Sequence, residues 1–332
     1  MTFASRSMRT SGQRLRLRPL CGISVASFYV YLLLTHMFSK YSFVTFSGRT
    51  KHCHSGYLEP AWNEVEGGGV DLRFINQLCP HRRQVKDMQK KLTVSVLYYD
   101  DSHNLEDLLA HWSVLPRVLL SQLVFLVIDD GSQRVRAKQI LSTYRNIDLL
   151  SVRIHEDIPW NIGGARNLAV FIAPTKYIFL MDVDVRTPQN FLSDIIRLVA
   201  KAEEEFLSRG IAQIYCRFRR KLAGKSTDFE RPHPAVMLLS RDTYWKCGGC
   251  DEDFVGHYGF TDPHFLYRAS NTPGVRLVSV IKDEPYISHL VQESSPADRV
   301  RDAEFNRKLF QGKHLNKNWS NEYIRFNWTL DK

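Results

Sequence analysis

The sequence predicts an α/β domain built on a mostly parallel sheet with helices on both faces. Three observations carry that prediction. Short apolar, β-rich runs recur between residues 92 and 181, stretches of helical length separate them, and two of the runs end in acids. The first run is LTVSVLYY at 92–99, followed by a helix expected around 104–115. LVFLVI at 123–128 leads to a helix near 133–145, and a strand at 149–154 to a helix at 164–173. KYIFLM at 176–181 precedes a helix at 190–207. Alternation of this kind requires crossover connections, which give parallel pairing. Ligands of such sheets sit beyond the carboxyl ends of the strands.

Composition agrees with a folded chain: of 332 residues, 44% are hydrophobic and 24% charged. The net charge of +10 resembles a nucleic-acid signal until it is located. Residues 1–58 hold eight Lys/Arg and no acid, which leaves 37 basic against 35 acidic residues in the rest. A near-neutral body lacks the basic footprint that a phosphate backbone requires, so nucleic acid is excluded as a partner.

From Leu20 to Phe38 the chain runs for nineteen residues without a formal charge, behind five arginines. As a helix it would be roughly 28 Å long, close to the thickness of a bilayer's hydrocarbon core. The arginines assign residues 1–19 to the cytoplasm and everything after the anchor to the lumen, a single-pass type II arrangement. A cleaved signal peptide would show a small-residue cleavage site, and an organellar transit peptide shares the Arg- and Ser-rich start; both are alternatives to the anchor. Residues 39–91 are polar, contain Gly67–Gly69 and read as a stem. Cys247 and Cys250 form a CxxC without the second pair that a structural zinc site needs. Asn318-Trp-Ser and Asn327-Trp-Thr are glycosylation sequons that suit a lumenal body.

The second strand ends in Asp129-Asp130-Gly131-Ser132, and the fourth in Asp182-Val183-Asp184. On an extended segment Asp182 and Asp184 would project to the same side, as required to hold one hard divalent cation with oxygen ligands. Alone, Asp-Gly-Ser is also a plain turn. Between the two acid pairs, Asn161-Ile-Gly-Gly-Ala-Arg166 places a glycine pair at the start of a helix. The N–H groups of Gly163 and Gly164, with Arg166, could take an anionic group; a helix cap with a surface arginine is the structural alternative.

These residues resemble the nucleotide-sugar glycosyltransferases of the GT-A fold: the family 2-like group, with a C-terminal segment like the β-1,4-galactosyltransferase and chondroitin N-acetylgalactosaminyltransferase group. The resemblance rests on TVSVLYYDD at 93–101, LVIDDGS at 126–132, NIGGARNLA at 161–169, IFLMDVDV at 178–185 and GGCDEDFVGHYGFTD at 248–262, in the family's order. It covers about 92–290, leaving 291–332 as a C-terminal extension with a helical stretch near 298–310 and no interpretable motif.

The resemblance implies roles for individual residues. Tyr99 and Asp101 would line the nucleotide pocket, Asp130 would hydrogen-bond the uracil ring, and Asp182 and Asp184 match the DxD that binds Mn²⁺ or Mg²⁺. Asp262 falls where inverting relatives carry the catalytic base, His289 is the candidate third metal ligand, and Gly248–Phe254 would form part of the donor and acceptor wall. His257 and His264 flank the site as alternative ligands. Where relatives have Trp-Gly-Gly-Glu-Asp this chain has Tyr258-Gly259-Phe260-Thr261-Asp262, so their acceptor contacts do not carry over. The implied function is a metal-dependent, inverting hexosyl- or N-acetylhexosaminyltransferase, moving sugar from a UDP-sugar to a glycan or glycoprotein in the Golgi or another secretory-pathway membrane. A non-catalytic nucleotide-sugar- or glycan-binding membrane protein is the alternative.

Overall fold

The computed structural model describes residues 90–222, 231–280, 287–289 and 299–331. The expected tail (1–19), membrane anchor (20–38) and all but the end of the stem (39–91) lie outside the described residues. Among the described residues, no helix is long and apolar enough to cross a membrane.

In chain order the elements are β1 (Leu92–Tyr98), α1 (Ser102–Ser113), α2 (Arg117–Leu120), β2 (Leu123–Asp130), α3 (Ala137–Leu141), β3 (Leu149–Ile154), α4 (Ile162–Ile172), β4 (Tyr177–Asp182) and β5 (Val185–Arg186). They continue as α5 (Phe191–Arg209), β6 (Ala212–Cys216), β7 (Arg219–Leu222), β8 (Arg231–Pro232), β9 (Met237–Ser240), α6 (Arg241–Lys246), α7 (Thr261–Ser270), β10 (Val275–Ser279), β11 (Ile287–His289), α8 (Glu304–Asn316) and β12 (Trp328–Asp331).

The main sheet has eight strands in the order β10-β6-β9-β4-β1-β2-β3-β12. Its centre, β4-β1-β2-β3, is parallel, as the alternation of strands and helices requires; β9 and β12 add antiparallel pairings. Strand β1 is buried along almost its whole length, Thr93 and Ser95 included, because it is central and covered on both faces. Alternate residues face opposite ways. Val94, Val96, Phe125 and Val127 pack with Leu105, Leu108 and Trp112 of α1 and with Phe191 and Ile195 of α5. Leu126, Ile128, Ile178 and Leu180 face the other core, filled by Leu168, Ala169 and Phe171 of α4. A second, four-stranded sheet, β5-β11-β7-β8, sits beside the acids that follow β4.

Two helices differ from expectation. The helix expected at 133–145 is only Ala137–Leu141. The backbone N–H groups of Gln133, Arg134 and Val135 donate to the Asp100 carboxylate at 2.8–3.0 Å, which commits that segment to a loop. The helix expected near 298–310 runs instead from Glu304 to Asn316, extended by Lys313, which is buried against Asp251 at 2.8 Å and Asp253 at 2.7 Å. Residues 323–331 close the edge of the main sheet: Tyr323, Ile324, Phe326 and Trp328 join the α4 core, and β12 pairs with β3. Covering an edge strand in this way removes a site of unwanted pairing.

Candidate active site

The register of the central strands decides where the acids meet. Tyr98 pairs with Asp129, and Leu97 with Asp182, so β1, β2 and β4 end together. Beyond their tips opens a cavity of about 240 Å³ lined by Tyr99, Asp101, Asp130, Asp182 and Asp184. Asp182 is the last residue of β4, but Asp184 lies in the turn that leads into β5. The extended geometry expected for the pair is therefore corrected: the chain turns because Val185 must pair with β11, and both acids reach the same cavity around that turn. His289 is described in its backbone alone, and the strand register sets it opposite Val185, one residue from Asp184. Among the described residues no cluster of three His, Cys, Asp or Glu that could hold a metal is present.

The acids at the strand tips do different work. Asp129 is buried and accepts from the backbone of Ser132 and Ala137, both at 2.9 Å, while pairing with Arg153 at 3.1 Å; it builds the turn. Its neighbour Asp130 accepts from Asn161 Nδ2 at 2.8 Å through one oxygen and faces the cavity. Burial raises its pKa to about 7, because removing the carboxylate from water disfavours its charge. Asp101 caps α1, accepting from Asn104 Nδ2 at 2.8 Å. Tyr99 donates to Asp157 at 3.1 Å, and the Arg299 guanidinium lies 3.7 Å from its ring centre.

The glycine pair has a packing role in this arrangement. A Cβ at Gly164 would stand 2.3 Å from Asn161 Oδ1 and 2.5 Å from Phe326, and one at Gly163 would stand 3.2 Å from Thr261. Glycine thus lets α4 lie against the C-terminal segment and against the start of α7. Neither glycine lines the cavity. Arg166 is also absent from the cavity wall and is no surface residue: it is 2% exposed, ion-paired with Asp262 and 3.4 Å from Asp182.

Asp262 lies in the first turn of α7, whose N-cap is Phe260, and the Phe260 φ of 63° is a left-handed conformation that non-glycine residues seldom adopt. The acids of Gly248–Phe254, expected at the substrate wall, are turned inward. Glu252 is buried, accepts from Asn167 Nδ2 at 2.7 Å and the N–H groups of Ile324 and Arg325 at 2.6 and 3.1 Å, and its pKa is raised by that burial. Asp251 and Asp253 hold Lys313. His264 is buried among Phe254, Phe310 and Trp319, and burial lowers its pKa to about 3; the ring stays neutral in an aromatic core. His257 stacks on Phe305 at 3.8 Å.

Sequence reasoning missed the far wall. Trp160, Arg299 and Arg301 line the cavity, and Trp160 donates to Val300 at 3.0 Å while meeting the Tyr258 ring edge-on at 4.7 Å. Asn306, fully buried, donates to the carbonyls of Phe254, His257 and Gly259, each within 2.9 Å, and so fixes the loop ahead of Asp262. The nearest sequence signal was Trp160 itself, beside the Asn161-Ile-Gly-Gly stretch; Arg299, Arg301 and Asn306 stand in a stretch without a recognisable motif.

Comparison with known proteins agrees with this architecture. The family model described as glycosyl transferase family 2 matches residues 102–253. The crystal structure of Staphylococcus aureus TarS 1–349 in complex with UDP-GlcNAc superposes with a TM-score of 0.52 at 16% identity, covering 70% of this chain and 68% of that one. The domain has the GT-A fold of the nucleotide-sugar glycosyltransferases. Against a longer TarS chain, this GT-A chain covers 41% of the length. Also similar are a Drosophila β-1,4-galactosyltransferase 7 mutant complexed with manganese, UDP-Gal and xylobiose, and the mannosyltransferase PcManGT from Pyrobaculum calidifontis with GDP-Man and Mn²⁺. The first has a TM-score of 0.42 at 13% identity, with coverage of 67% and 79%. The second has 0.44 at 14%, with coverage of 74% and 69%. No curated protein sequence matches the chain.

Proposed function

We propose that the chain is a metal-dependent, inverting glycosyltransferase that moves a hexosyl or N-acetylhexosaminyl group from a UDP-sugar to a hydroxyl of a glycan or glycoprotein. The observation that carries this reading is the convergence of Tyr99, Asp101, Asp130, Asp182 and Asp184 on one cavity at the strand tips. The family 2 match and the UDP-GlcNAc complex of TarS support the donor class.

In this reading Asp130 accepts a hydrogen bond from the uracil ring through the oxygen that Asn161 leaves free, and Tyr99 lines the base pocket. Asp182 and Asp184 fit a hard cation, since both line one cavity and carboxylate oxygens suit such an ion, and the resemblance to the family makes His289, paired in register with Val185, the candidate third ligand. Bound there, Mn²⁺ or Mg²⁺ would neutralise charge on the diphosphate leaving group. Asp262 takes the proton of the acceptor hydroxyl as that oxygen bonds to the anomeric carbon and the bond to UDP breaks. Attack from the face opposite the leaving group inverts the anomeric centre.

One observation favours the second reading, a non-catalytic nucleotide-sugar-binding protein: the Asp262 carboxylate is already engaged by the buried Arg166. The two readings separate on UDP release. The detergent-solubilised full chain, given Mn²⁺ and a panel of nucleotide sugars, should release UDP from one donor, and Asp182→Ala with Asp184→Ala should abolish it. UDP binding without release from any donor, with or without acceptor glycans, would favour the second. We also assign the chain to a secretory-pathway membrane such as the Golgi, anchored by Leu20–Phe38 with the GT-A domain lumenal. Recovery in the supernatant after an alkaline carbonate wash would overturn the anchor.

A further inference from the structure

Arg166 is the residue whose surroundings its sequence context least anticipates. Its neighbours in Gly163-Gly164-Ala165-Arg166 suggested a donor to a bound anion, yet the guanidinium does not reach the cavity wall. It is buried at 2% exposure and directs its two terminal nitrogens at carboxylates from distant parts of the chain: Nη2 at Asp182, where β4 ends, and Nη1 at Asp262, where α7 begins. Two further features set this geometry. Gly163 lets α4 approach the start of α7 so closely that a Cβ would stand 3.2 Å from Thr261, so the helix carrying Arg166 and the helix carrying Asp262 share a fixed spacing. The guanidinium is a planar fork with two terminal nitrogens, so it can engage two carboxylates at once where a lysine ammonium offers a single point charge.

We propose that Arg166 is a positioning residue that fixes the Asp262 carboxylate relative to Asp182, and thereby sets the distance between the acceptor-side base and the donor-side acid. The inference rests on the reading of Asp262 as the base and deepens it. A carboxylate placed by a buried fork is held in one rotamer, which matters because small misplacements of a reacting group cost large factors in rate. It assigns Arg166 no contact with the diphosphate. The effect of removing it should therefore fall on turnover and not on donor affinity.

The test is steady-state kinetics of the full chain with Mn²⁺ and whichever nucleotide sugar of the panel supports UDP release, comparing Arg166→Gln, Arg166→Lys, Asp262→Asn and the double variant Arg166→Gln/Asp262→Asn. Arg166→Gln should lower kcat about 100-fold with donor KM within about threefold, and Arg166→Lys should restore activity to within about tenfold of the parent. The double variant should be no slower than Asp262→Asn alone, because Arg166 acts through Asp262. If Arg166→Gln does not fold, the double variant and Arg166→Lys carry the test, since the double variant removes both charges of the buried pair and leaves no lone ion. A rise in donor KM with kcat preserved would overturn the proposal in favour of a diphosphate contact, and multiplicative losses in the double variant would overturn it equally. If Asp262→Asn turns over at the parent rate, the base reading fails and takes this inference with it. If Asp262→Asn is inactive while Arg166→Gln is normal, only the role of Arg166 fails.

Discussion

In the proposed reading the site has a donor half, residues 92–186, and an acceptor half, residues 248–331, and the two are built on different principles. In the donor half each functional side chain sits at or just past the tip of its own strand, and the parallel register of β1, β2 and β4 brings the tips together. Little else is needed to place Tyr99, Asp130 or Asp182. In the acceptor half no strand does this work. Asp262 is placed by a loop whose carbonyls are held by Asn306, some fifty residues later, and by an arginine from α4, nearly a hundred residues earlier. The donor half follows from local sequence, whereas the acceptor half depends on long-range packing. Substitutions should reveal that difference.

The largest effect belongs to the donor side. Asp182→Ala with Asp184→Ala removes the only carboxylates that the β4–β5 turn presents to the cavity, and UDP release should fall at least about 10⁴-fold if a cation is held there. The fold should survive, because Asp184 lies in a turn, Asp182 is about one-third exposed, and the buried Arg166 keeps its ion pair with Asp262 when Asp182 is lost. Thermal denaturation with and without Mn²⁺ checks both statements: the parent should gain stability with the ion, and the variant should not.

Asp262→Asn comes next, with turnover lowered about 10³-fold and UDP affinity, read by titration, within about threefold. Equal loss of binding would mean that the two halves are not separable. Asn306→Ala tests the acceptor half from a distance. It leaves three carbonyls without their donor, and should lower the melting temperature as well as turnover, by a free energy of about 1–3 kcal/mol for the buried groups. No donor-side variant should show that combination. A wild-type rate in Asn306→Ala would mean that the loop before Asp262 holds its shape without α8.

The same contrast explains what could be read in advance. Strand runs, their order and the acids at their ends were legible because a buried parallel strand must be apolar along its length, and a charge at its tip must meet solvent or ligand. Which of two adjacent acids does which job was not legible: Asp129 and Asp130 read alike, and only the strand's alternation turns one into the loop and the other toward the cavity. The glycines at 163 and 164 suggested an anion site, since an open helix start and a tight helix contact call for the same residue. Arg299, Arg301 and Asn306 left no pattern because isolated residues on a loop and at the start of a helix are placed by the surfaces they meet, not by their neighbours in sequence.

The smallest effect is also the most specific. Burial lifts the Asp130 carboxyl from its ordinary value of 3.8 to about 7, and in the proposed reading the ionised form accepts from the uracil ring more strongly than the neutral acid. Donor affinity should therefore weaken as pH falls through about 7. Stability should move the opposite way: the unfolded chain ionises this group above 3.8 while the folded site resists until about 7, so its contribution is fully present at low pH and is lost as pH rises across that window. Asp130→Asn removes the titration, weakening UDP binding about tenfold at pH 8 but flattening both trends. UDP titrations and denaturant melts at pH 5, 6, 7 and 8 would read the two slopes on the same samples. Parallel slopes for the parent and Asp130→Asn would assign the pH dependence to some other group and leave Asp130 as a partner of Asn161 alone.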